Sequence, residues 1–152
     1  MRQTPLAWKV VVDTEDPHRQ ATFWAAALRY RIEDHGALIE RLLATGAVDE
    51  QETVEFQGHR AWRDLVAVRH PDDSFDPGSD TGLGRRILFQ RVPEPKTTKN
   101  RLHLDLHSAP GERDEEIARL EELGATSLRR VSLGGIEWQV MTDPEGNEYC
   151  LH

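Results

Sequence analysis

The strongest constraint on the fold is a strict alternation, Asn100-Arg101-Leu102-His103-Leu104-Asp105-Leu106-His107. A period of two is the spacing of a strand. Leu102, Leu104 and Leu106 therefore share one face, and His103, Asp105 and His107 share the other. An ordinary amphipathic strand turns its polar face to water; a row of His, Asp and His can also bind metal or move protons. A second string, Asp143-Pro144-Glu145-Gly146-Asn147-Glu148-Tyr149-Cys150-Leu151, closes the chain. Asp-Pro starts a turn, Gly146 and Asn147 tolerate positive φ, and Tyr149 and Leu151 resume a strand. Between the two strings the pattern predicts a helix from about Arg113 to Leu123. Ile117, Leu120 and Leu123 or Gly124 face inward, and Glu115, Glu116, Glu121 and Glu122 face solvent. Strands are predicted at Leu128 to Val131, Glu137 to Thr142 and Glu148 to His152, with Gly134-Gly135 as the turn between the first two.

The earlier part of the chain carries a similar unit. Leu6 to Asp13 reads as a strand from its β-branched run. Asp16-Pro17 is a helix start, with Asp at the N-cap and Pro in the first turn. The helix runs to about Leu28, with Ala21, Trp24, Ala25 and Leu28 on one face and Phe23 and Trp24 as core. Lys9 and His103, and Leu28 and Leu123, recur at nearly the same spacing, which suggests a duplicated module. Asp34 to about Thr53 is an insertion. Leu38, Ile39, Leu42 and Leu43 form a helical stripe that Gly46 stops, and Asp34 is its expected N-cap. Val54 to Phe56 reads as a strand, Gly58-His59 as a turn, and Ala61 to Arg69 as one strand with Trp62 and Arg63 on opposite faces. Phe75 to Gly84 reads as a solvated loop. Arg85 to Val92 is the module's last strand, and residues 93–100, with two prolines, are the linker.

Composition excludes several classes. The 152 residues fit one domain with a real core. No apolar run approaches a membrane span, and the N-terminus has no signal-peptide core, so no membrane partner is expected. One cysteine, Cys150, excludes an internal disulfide and fits a reducing cytoplasm. A net charge of −8 with no basic stripe argues against nucleic acid.

His103 on a strand, the helix end Leu123-Gly124-Ala125 and the turn Asp143 to Asn147, in that order, resemble the second half of a glyoxalase-like domain of the vicinal oxygen chelate superfamily. The resemblance implies an α+β fold of two paired βαβββ modules forming a curled mixed-sheet cup. Module one is expected over about 5–92, with its helical insertion at about 34–53, and module two over about 99–152, within one domain spanning residues 1–152. The resemblance also implies a homodimer.

Metal enzymes of this superfamily hold a divalent ion with four ligands, mostly His and Glu, on the first and last strands of each module. The ion then stabilises developing negative charge on a chelating substrate. Carried over by position, those places fall on Lys9, Gln90, His103 and Cys150. An ammonium is no ligand while protonated, an amide is weak, and a thiol must first lose its proton. No cofactor is therefore expected. If a divalent metal does bind, its ligands would be His103, Asp105 and Cys150; His107 lies too far along the strand to share an ion with His103. A Lys9 nearby would lower the Cys150 pKa.

Trp24 is expected in the helix core, whereas Trp8, Trp62 and Trp138 lie on predicted strands and are candidate walls of a ligand pocket. Gln90, Asp105 and Cys150 are candidate polar contacts. His18, His35, His59, His70 and His152 have no ligand spacing and read as surface or turn residues. Two functions follow. One is a binding module for a small organic ligand, resembling bleomycin-resistance proteins. The other is a lyase or isomerase acting on a small oxygenated substrate, with His103 as general base and Lys9 stabilising an enolate oxygen.

Overall fold

The computed structural model describes residues 3–152. The chain divides between Val92 and Pro93 into two compact units. The first contains β1 (Val10–Thr14), α1 (Pro17–Leu28), β2 (Arg31–Ile32), α2 (Gly36–Ala44), β3 (Thr53–Phe56), β4 (His59–Trp62), β5 (Leu65–Arg69), β6 (Phe75–Asp76), β7 (Thr81–Gly82) and β8 (Arg86–Arg91). The second contains β9 (Asp105–Leu106), α3 (Arg113–Glu122), β10 (Thr126–Leu133), β11 (Ile136–Thr142) and β12 (Glu148–Leu151). The fold is α+β, with one four-stranded mixed sheet in each unit.

The two sheets have the same topology. Their orders are β1-β8-β5-β2 and β9-β12-β11-β10. In each, the first strand of the unit runs parallel to the last, and the remaining pairs are antiparallel. Asp13 registers with Gln90 in the first sheet as Asp105 does with Cys150 in the second. Each unit is thus a βαβββ module.

In the first unit, α1 begins as predicted, with Asp16 Oδ1 accepting from the Arg19 N–H and Pro17 in the first turn. Ala21, Phe23, Trp24 and Ala27 of α1 are buried, as are Val66 and Val68 of β5 and Ile87 and Phe89 of β8. The predicted first strand is shorter than expected. Its ladder to the parallel partner β8 begins only where Val10 pairs with Ile87. Trp8 and Lys9 therefore precede the strand, and both are exposed.

The insertion is larger than its helix. α2 carries the expected apolar stripe, with Ile39 fully buried. Its N-cap is His35; Asp34 instead accepts from the Gly36 N–H. The insertion also includes the β3–β4 hairpin, a separate two-stranded sheet. The single strand expected over Ala61 to Arg69 is two strands in different sheets, broken at Arg63-Asp64. There the Arg63 N–H donates to Glu52 O and Asp64 O accepts from the Arg91 N–H, so the chain passes from one sheet to the other. The module's true second strand is the short β2, held to β5. The loop at Phe75 to Gly84 contains the β6–β7 hairpin.

In the second unit, α3 begins at Arg113 with Asp114, Glu115 and Glu116 in its first turn, where the helix dipole favours anions. Gly134 and Gly135 have φ of 60° and 81°, so both central residues of the β10–β11 turn are left-handed. β9 is shorter than the alternation predicts. The Asn100 N–H is taken by the Glu148 side chain, and ladder bonds begin only where the Cys150 N–H reaches Leu104 O. Leu102 is consequently exposed and does not join Leu104 and Leu106 in packing. The closing turn is fixed by the buried Asp143 carboxylate, which accepts from the Glu145 and Asn147 backbone N–H groups and from Asn147 Nδ2.

Candidate functional site

Alternation sorts the second sheet into two faces. Met141, Tyr149 and Leu151 fall on one face and are buried, as is Leu120 of α3. Arg130 belongs to the same face and reaches Asp114 of that helix at 2.6 Å. The residues between them form the opposite face. Beside a row of Thr126, Thr142 and Glu148, two further cross-strand rows run over it. One is Arg129, Val140, Cys150 and Asp105, fixed by direct register. The next carries Val131 and Trp138 in register, continued by His152 and His107. The polar face predicted from the alternation is therefore part of a whole sheet surface.

Asp105 is the hub of this face. Its Oδ1 lies 3.3 Å from His103 Nε2, its Oδ2 lies 3.6 Å from His152 Nε2, and the Cys150 thiol lies within 4.8 Å of the carboxylate. His152 is sandwiched in a row of rings. It stacks on His107 at 4.9 Å between centroids and on Trp138 at 5.7 Å, with interplanar angles of 21° and 24°. Burial first, and then the Asp105 charge and hydrogen bond, push the Cys150 thiol above its ordinary pKa; Lys99 and Arg129 act in the other direction. Cys150 is thus a buried, protonated thiol, contrary to the lowered pKa expected from a neighbouring Lys9.

The structure brings His103, Asp105, Trp138 and Cys150 onto one sheet face. It adds His152, which the sequence reading left as a surface residue, although its parity with Cys150 was the available signal. In the first unit, Gln90 lies on β8 and is exposed, facing with Asp13 away from the buried Phe89. Trp62 ends β4, and its indole is already engaged: Nε1–H donates to His35 Nδ1 at 3.1 Å.

That bond belongs to a buried network that sequence reasoning missed. With Nδ1 of His35 accepting, its Nε2–H donates to Glu33 Oε2 at 2.9 Å. Glu33, with no exposed side-chain surface, also takes Arg86 in a two-point contact at 2.6 and 2.8 Å and accepts from the Gly82 N–H at 2.7 Å. Burial alone would raise the Glu33 pKa; the bonds from His35, Arg86 and Gly82, with the Arg86 charge, outweigh it and lower the value to about 2. This network ties β2, β7 and β8 to α2 and β4.

His103, Asp105 and Cys150 offer ligand atoms within 4.8 Å of one another. The chemistry of the set is unfavourable for the superfamily's usual ion. Burial and the Asp105 charge favour the protonated thiol, and the same carboxylate faces two imidazoles. The other two places hold the Lys9 ammonium and the Gln90 amide. These residues do not fit the usual His and Glu set.

Taken together, two βαβββ modules and a polar and aromatic sheet face define a chain of the vicinal oxygen chelate class. A family model described as a glyoxalase-like domain matches residues 9–152, and the chain belongs to that family. Three solved structures share the fold. A fosfomycin resistance protein from Mesorhizobium loti is 10% identical, with a TM-score of 0.60, covering 99% of this chain and 92% of that one. A glyoxalase/bleomycin resistance protein/dioxygenase family enzyme from Burkholderia phytofirmans is 14% identical, with a TM-score of 0.56 and 94% of each chain covered. A bleomycin-binding protein from Streptomyces verticillus, in complex with copper(II)-bleomycin, is 13% identical, with a TM-score of 0.52, covering 99% and 97%. No curated protein matches the chain. Among the described residues, no helix is long and apolar enough to cross a membrane.

Proposed function

We propose that this chain binds a small organic ligand on the face of the second sheet opposite α3, without the metal usual in its superfamily. The observation that carries the reading is the ring row of Trp138, His152 and His107 beside Asp105. Flat side chains with polar edges give contact area at small entropic cost, and Asp105 with His103 supplies orientation. The fold shared with a bleomycin-binding protein is consistent with such a role. The test is a fragment library screened by ligand-observed NMR against wild type, Trp138→Leu and His103→Ala, each checked for folding by thermal unfolding. Hits should be lost or weakened in both variants; hits indifferent to both would refute the site.

A second reading is supported by the 3.3 Å contact between His103 and Asp105. A carboxylate that orients an imidazole suits a general base acting on a small oxygenated substrate, as in a lyase or isomerase. We further propose a cytoplasmic homodimer. The edge strand β10, with Leu128 and Leu133 exposed, is the kind of unpaired edge that a second chain covers.

A further inference from the structure

The charge pattern of the same face indicates what kind of molecule it takes. The chain as a whole carries a net charge of −8. Most of its buried and half-buried cations are matched: Arg86 by Glu33, Arg69 by Asp80, Arg113 by Glu137 and Arg119 by Glu116. Arg130 is matched by Asp114 on the helix side. Arg129, its neighbour in sequence, points the other way and sits in the row Arg129, Val140, Cys150, Asp105. It is exposed, and its guanidinium holds no hydrogen bond or ion pair among the described residues. The face carries two carboxylates, and both are engaged: Asp105 by His103 and His152, and Glu148 by Lys96 and the Asn100 N–H.

A guanidinium that lacks an anion, next to a row of near-parallel rings, is a two-part receptor. We propose that the ligand of this face is a planar aromatic carboxylate, its ring layered on the outer face of Trp138, at the end of the ring row, and its carboxylate held by Arg129. The inference rests on the proposed binding role and narrows it to one ligand class. The ring end selects by stacking and the cationic end by charge, so a neutral or cationic analogue of equal shape loses the second contact.

The test is isothermal titration calorimetry with three probes of one shape: naphthoate, naphthylmethanol and naphthylmethylamine. Cyclohexanecarboxylate serves as an anion without a planar ring. Naphthoate should bind about tenfold or more tighter than the alcohol, and tighter still than the amine. Arg129→Gln should remove that preference while leaving the alcohol unaffected, and Arg130→Gln, on the helix side, should change nothing. Trp138→Leu should weaken all three naphthyl probes, and cyclohexanecarboxylate should bind worst of the anions. If the alcohol or amine binds as well as naphthoate in a Trp138-dependent way, or if Arg129→Gln leaves the preference intact, the carboxylate inference is overturned and the binding role stands. If no probe binds, or none depends on Trp138, both fall.

Discussion

Replacing Glu33 by Gln is the sharpest physical test of the first unit. Glu33 is buried, its two oxygens accept from Arg86, His35 and the Gly82 N–H, and its pKa falls from 4.5 to about 2. At about 1.4 kcal/mol per pKa unit, the shift corresponds to about 3 kcal/mol of stability at neutral pH. Because the folded-state value lies below the unfolded one, this contribution is complete above about pH 4.5 and is lost as pH falls through about 2. In Glu33→Gln the amide oxygen can still accept from Gly82, but the amide nitrogen cannot accept from Arg86 or His35. The Arg86 side chain, only 9% exposed, is left without its anion. Urea unfolding followed by tryptophan fluorescence should show a loss of about 3 kcal/mol at pH 7, shrinking by roughly 2 kcal/mol at pH 3. Carboxylates elsewhere titrate in both proteins and cancel in the comparison. A loss below about 1 kcal/mol at pH 7, or the same loss at both pH values, would refute the reasoning.

Other outcomes follow from the second unit. Asp105→Asn removes the charge that raises the Cys150 pKa, so alkylation of Cys150 at pH 8 should become faster than in wild type; an unchanged or slower rate would mean that burial alone controls the thiol. Asp143→Ala strips the acceptor from three donors in the closing turn and should cost about 2 kcal/mol by chemical denaturation. Elemental analysis of protein purified without chelator should find far less than one equivalent of zinc, nickel, iron or manganese, and these ions should barely move the Tm. Stoichiometric metal that disappears in His103→Ala would restore a metal-dependent reading, with Asp105 as the first additional ligand to examine.

The second unit was legible because its signals are local. Alternation over consecutive residues, a helix with one apolar stripe and a turn with Asp, Gly and Asn each carry their meaning within a few positions. The same alternation, carried two residues on from Cys150, would have placed His152 on the site. The first unit was harder because its decisive contacts are not local. β2 is two residues long and is a strand only by pairing with β5. The break at Arg63-Asp64 contains neither Gly nor Pro, and what makes it is a bond to Glu52 and another from Arg91. Glu33 and Arg86 are distant in sequence, and nothing local marks them as a pair that the fold buries together. Trp8 and Lys9 looked like strand residues because the apolar run begins before them; the ladder to β8 starts only at the Val10–Ile87 pair.

The short ladder of β9 has a consequence for how the site is kept in order. β9 is the edge of its sheet, and its neighbourhood is held to β12 by the Cys150 N–H to Leu104, the His152 N–H to Leu106 and the Ser108 N–H to His152. His103, Asp105 and His107 all ride on that edge, while Tyr149, Met141 and Leu120 anchor the other side of the sheet. Peeling the edge away would scatter half of the binding groups and leave the helix-side core intact, so its opening free energy is expected to be lower than that of global unfolding. Occupancy and edge closure are then thermodynamically linked: a molecule held by both strands slows amide exchange at Cys150, His152 and Ser108 in proportion to its affinity, whereas amides of β11 facing β10 exchange as before.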